Sequence, residues 1–202
     1  MPSAAHNAIL RLARHAALAL AAFVALGCDA LRGAGELEQA IAREQVAITA
    51  YSADVPRVDG LARTFAEALG RANAHRVARV HREDLAAHAL PAGKAWIEAL
   101  RAMGGLDSVE LQAVHAPLVG AAAALVAALE RVVTLEAADG GEPAPEAVTA
   151  QQREVEAALA TLRTAERAYA AALALHCAKN RATLTAALPL ARDAGVDAGE
   201  AR

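Results

Sequence analysis

The sequence predicts an all-α protein, folded as an antiparallel up-and-down bundle of long helices. Of its 202 residues, 56% are hydrophobic and only 2% aromatic, and alanine, the residue with the highest helix propensity, is heavily over-represented. Apolar residues recur at spacings of three and four over long stretches, which is typical of amphipathic helices. No stretch alternates polar and apolar residues between turn dipeptides, as a β-hairpin requires. At this length we expect one hydrophobic core.

The amino-terminal segment has the layout of an export signal. Arg11 and Arg14 precede an apolar run of 11 residues, Ala16 to Leu26, and small Gly27 stands directly before Cys28. A basic region, a short apolar region and a small residue at the cleavage point are typical of secreted proteins. A helix that crosses a bilayer needs about 20 apolar residues. The run is therefore too short for a stable transmembrane anchor.

Residues 24 to 28, Val-Ala-Leu-Gly-Cys, resemble the lipobox that signal peptidase II recognises in bacterial lipoproteins. The resemblance covers residues 1 to about 29 and none of the remaining chain. It implies that residues 1–27 are a signal peptide, that the Cys28 thiol carries a diacylglyceryl group, and that fatty acids such as palmitate anchor the chain in a cell membrane. The protein would then lie on the periplasmic side, at the inner or the outer membrane. An ordinary secretory signal, or an amphipathic start of a cytoplasmic helix, is the alternative.

The charge of the mature chain argues against nucleic acid as a partner. Residues 1–27 contain two arginines and no acidic residue, so their removal leaves 18 basic against 23 acidic side chains, 18 − 23 = −5. Binding to phosphates requires basic surfaces. The only other cysteine is Cys177, which has no intrachain disulfide partner if Cys28 is lipidated.

After a short tether at residues 28–35, a bundle domain is expected at residues 36–190. Its first helix begins near residue 36, and Pro56 ends or kinks it. A second helix runs from Arg57 to residue 90, where Pro-Ala-Gly at residues 91–93 stops it. If Pro56 only kinks one continuous helix over residues 36–90, the bundle has three long helices and not four.

The rest of the bundle follows from its break and cap signals. A unit at residues 94–103 is broken by the glycine pair at 104 and 105. Asp107, three residues before Glu110, forms a capping-box-like start for the next helix. After a loop at residues 140–146, the longest helix runs to about residue 187, and residues 191–202 form a frayed tail.

One cluster has the residue types of a metal site. His81, Asp84 and His88 lie within a 60° arc of an ideal helix. Asp84 and His88, four residues apart, could share an ion. His81 and His88 are separated by about 10.5 Å along the axis, which is long for two imidazoles at one metal. A solvated polar face is the alternative interpretation.

Two glutamates, Glu44 and Glu166, fall on the apolar stripes of the first and last helices. A buried carboxylate is costly unless it is paired. We therefore expect each to meet an arginine, with Arg76 and Arg79 as natural partners, to reach an end of the bundle, or to line a polar site inside the bundle. The alternative is that both side chains extend outward to solvent.

The sequence contains no familiar catalytic motif. HExxH, CxxC, Glu-x-x-His, a GxSxG elbow and a glycine-rich phosphate loop are all missing. We therefore expect no enzyme activity and no cofactor. The expected role is that of a lipid-anchored bundle in the cell envelope that binds a protein partner or spaces components. The alternative is a bundle in the periplasm that binds a metal or a small ligand.

Overall fold

The computed structural model describes residues 4–75, 77–135 and 143–184, with side chains from residue 34 onward. Three α-helical segments and a π-helical turn form its first half: α1 (Ala4–Ala74), α2 (Ala78–Asp84), the π turn (Leu85–Ala89) and α3 (Leu90–Arg101). Two long helices follow, α4 (Val109–Thr134) and α5 (Pro145–Lys179). Because α2, the π turn and α3 follow one another without a gap, they count as one helical segment. With α1, α4 and α5, the described residues therefore form four helices of a bundle. The predicted all-α bundle of four helices is confirmed.

Contacts divide the chain into two units, residues 1–43 and residues 44–202. The hydrophobic core described here belongs to the second unit, where its buried members run from Ala47 to Cys177. The side chain of Cys28 and the whole predicted tail, residues 191–202, lie outside the described residues. The predicted boundaries of signal peptide, tether and tail stay predictions.

The helix stop predicted at residues 91–93 is wrong, and of the two alternatives stated for Pro56, an end or a kink of the helix, the end is wrong. Pro56 lies inside α1, and the chain breaks at residues 75–77 instead. Proline deletes one helical hydrogen bond, but Val55 and Val58 beside it are 3% and 0% exposed, and their burial holds both halves of the helix on the core. Pro91 lies inside the continuous helical rod, directly after the π turn, so the helix passes through it although one helical hydrogen bond is lost.

Gly93 is a close contact and not a helix stop. A Cβ atom at this position would lie 2.8 Å from Val126 and 3.0 Å from Phe65. The glycine thus lets α3 approach α1 and α4 closely. One turn further, Trp96 stacks on the Phe65 ring with centroids 5.7 Å apart.

The predicted break at Gly104 and Gly105 is confirmed, and the turn there lies against α1. The Gly104 amide donates to Asp54 Oδ2 at 2.7 Å. Gly105 has φ +77°, and a Cβ on it would lie 2.1 Å from the Ala47 carbonyl oxygen. The following helix, α4, is capped by Ser108, whose hydroxyl accepts from the Leu111 amide at 3.2 Å. The cap is therefore one residue later than the predicted Asp107.

Helices α4 and α5 pack as an antiparallel pair. Arg131 near the end of α4 forms an ion pair with Glu154 near the start of α5. Gln151 donates from its side-chain amide to the Ala128 carbonyl oxygen at 3.2 Å. At the opposite end, Glu44 of α1 lies close to both Ser108 and His176. The start of α4 therefore lies at the same end of the bundle as the end of α5.

Gly105→Ala should lower the free energy of unfolding of the full chain by more than about 2 kcal/mol, because a Cβ meets both the left-handed backbone and the Ala47 carbonyl. Gly70→Ala is the matched control, since Gly70 is an exposed helical residue with nothing within 4 Å of an added Cβ. It should stabilise by about 0.5 to 1 kcal/mol. Chemical denaturation checks both, and equal stability of the two variants would contradict the tight turn.

Candidate functional site

The predicted metal cluster is brought together only in part. Asp84 Oδ1 lies 3.6 Å from His88 Nε2, but the second imidazole near this carboxylate is that of His75, 3.7 Å from Asp84 Oδ2, and not that of His81. His81 donates from Nδ1 to the Ala72 carbonyl oxygen at 2.9 Å instead. In the parts of the chain that the structure describes, no group of three or more His, Cys, Asp or Glu side chains is placed to hold a metal ion. The metal site at His81, Asp84 and His88 stays a prediction.

These polar side chains connect the two sides of the break between α1 and α2. His81 lies on α2, and its partner Ala72 lies in the last turn of α1, where backbone carbonyls have no helical donor. His75, directly after α1, faces Asp84 at the end of α2. The contacts therefore hold the end of α1 against α2.

A chain of buried polar groups crosses the core between three helices. Tyr51 of α1 is 0% exposed and His115 of α4 is 3% exposed. The Tyr51 hydroxyl lies 2.5 Å from His115 Nδ1, and His115 Nε2 lies 2.8 Å from the carbonyl oxygen of Leu100 in α3. Since a carbonyl only accepts, Nε2 carries the imidazole proton, Nδ1 accepts, and Tyr51 donates.

Burial keeps every group in this chain neutral. It lowers the pKa of His115 below its ordinary value of 6.5, against the opposing effect of the Leu100 carbonyl. Burial likewise raises the pKa of Tyr51 far above its usual range. The unfolded chain binds a proton at His115 more readily than the folded chain does. The contribution of neutral His115 to the free energy of unfolding is therefore complete above pH 6.5 and is lost as the pH falls below that value.

Tyr169 of α5 lies beside this chain without joining it. Its ring is 4% exposed and its centroid is 6.5 Å from that of Tyr51. Among the described residues, its hydroxyl makes no hydrogen bond of standard geometry, but it lies close enough to the Tyr51 hydroxyl to affect the pKa of both groups. Burial raises the pKa of Tyr169 to about 12, so the hydroxyl stays protonated. The ring therefore contributes apolar packing, and its hydroxyl adds a desolvation cost.

A second polar cluster lies at the end of the bundle where α4 begins and α5 ends. Glu44 Oε2 accepts from the Ser108 hydroxyl at 2.7 Å and lies 3.2 Å from His176 Nε2. Gln45 donates to the Asn180 carbonyl oxygen at 2.9 Å. These contacts fasten α1 to both neighbouring helices.

Of the outcomes expected for Glu44, the structure shows a position at an end of the bundle, with partners other than an arginine. Its partners are Ser108 and His176, because the start of α4 and the end of α5 are the elements nearest to it. Arg79 pairs with Glu83 instead. Arg76 lies outside the described residues, and Glu166 is half-buried on α5.

The Ser108, Glu44 and His176 cluster does not have the arrangement of a nucleophilic triad. In such a triad the serine donates to the imidazole, and the carboxylate lies behind the imidazole. Here the Ser108 hydroxyl donates to the carboxylate and also caps α4. The arrangement supports a structural role for all three side chains.

Sequence reasoning missed the chain through Tyr51 and His115, although both residues fall on apolar stripes. A tyrosine and a histidine among leucines at core spacing are a usable signal, because a buried polar group requires a partner. The partners themselves are not local, since 64 residues separate Tyr51 from His115.

Comparison of the chain with protein-family models, curated protein sequences and solved structures gave no match. Among the described residues, α4 alone is long and apolar enough to cross a membrane by length and composition. Core helices of soluble bundles meet the same criterion. The arguments below therefore rest on the chain's own residues.

Tyr51→Phe should lower the free energy of unfolding by about 1 to 3 kcal/mol, because it leaves His115 Nδ1 buried without a donor. Tyr169→Phe makes the same chemical change on a neighbouring ring whose hydroxyl makes no hydrogen bond of standard geometry, and it should cost less stability than Tyr51→Phe. Chemical denaturation of both full-length variants above pH 7 measures the difference. An equal loss in both would refute the assigned donor and acceptor.

Proposed function

We propose that the protein is a lipid-anchored component of a bacterial cell envelope, with a non-catalytic binding or structural role. The observation that carries the proposal is the sequence order of two arginines, an apolar run, Gly27 and Cys28. Acylation of Cys28 would supply the anchor. The folded part would then lie in the aqueous space beside the membrane.

Lipid attachment at a single residue suffices for a stable anchor. Each buried methylene contributes about 0.8 kcal/mol, and two or more acyl chains convert reversible membrane binding into stable binding. A diacylglyceryl group with an additional amino-terminal acyl chain meets this condition. A transmembrane helix is then not needed.

The division of the chain is compatible with cleavage before Cys28. The second unit begins at Glu44, and its described core begins at Ala47. Removal of residues 1–27 thus takes away no described core residue. Residues 28–43 would remain as a connection between the lipid and the bundle.

The proposal of a non-catalytic role is supported by how the buried polar groups are used. Both ring nitrogens of His115 are hydrogen-bonded inside the core. The Ser108 hydroxyl is engaged by Glu44 and by the first turn of α4. The hydrogen-bonding groups of these side chains are therefore occupied by contacts that hold the helices together.

Cys28→Ala should abolish both acylation and cleavage in the native host, because the modified sulfur is lost. Cells labelled with a palmitate analogue should give labelled wild-type protein, and mass spectrometry should find a mature chain that begins at acylated Cys28. The variant should retain residues 1–27 and carry no label. Cys177→Ala is the matched control, since Cys177 is a free cysteine that is 5% exposed in the core, and it should be labelled like the wild type.

An inhibitor of signal peptidase II should cause wild-type protein to accumulate with its signal sequence. If mass spectrometry instead showed a native protein without fatty acids, or one that still begins at Met1, the proposed anchor would be wrong.

A further inference from the structure

We draw no further inference here: the strongest candidate, the side-chain cluster of His75, Asp84 and His88 where α2 meets the end of α1, belongs to the site already described, and nothing among the described residues shows a ligand that it would hold.

Discussion

The hydrogen-bond chain from Tyr51 through His115 to the Leu100 carbonyl is the constraint on which the bundle depends. An alanine-rich core offers little apolar area per residue, and small side chains allow neighbouring helices to slide along one another at low cost. A buried polar group does not tolerate such sliding, because a shift of one residue leaves a donor or acceptor unpaired in a low-dielectric interior. The chain thereby fixes the register of α1, α3 and α4 together.

The end of the bundle near Glu44 follows from the same register. With Tyr51 against His115, the preceding two turns of α1 lie beside the turn that joins α3 to α4. The Ala47 carbonyl then comes so close to Gly105 that only glycine fits, and Glu44 reaches Ser108 and His176. Polar contacts at this end and in the core thus select one register of the helices, whereas apolar packing alone would allow several registers of similar energy.

Local signals predicted the helical class, the break at Gly104 and Gly105, and the long last helix, because these depend on propensity and periodicity. They left open whether Pro56 ends its helix, and they failed at residues 91–93. At both places the helix continues, because burial of Val55, Val58 and Trp96 outweighs the local cost of proline and glycine. The metal cluster was predicted on an ideal helix starting near Arg57. The break at residues 75–77 moves His75 beside Asp84, and His81 turns to α1. Partners that are distant in sequence, such as His176 for Glu44, leave no local trace.

The central claim is tested most directly by nitrogen-15 NMR of the His115 ring in the full chain during a pH titration. The account predicts the tautomer with the proton on Nε2 and a ring that titrates below the ordinary value of 6.5, because burial lowers its pKa. A proton on Nδ1, or a ring that titrates at 6.5 like a solvated imidazole, would contradict the account.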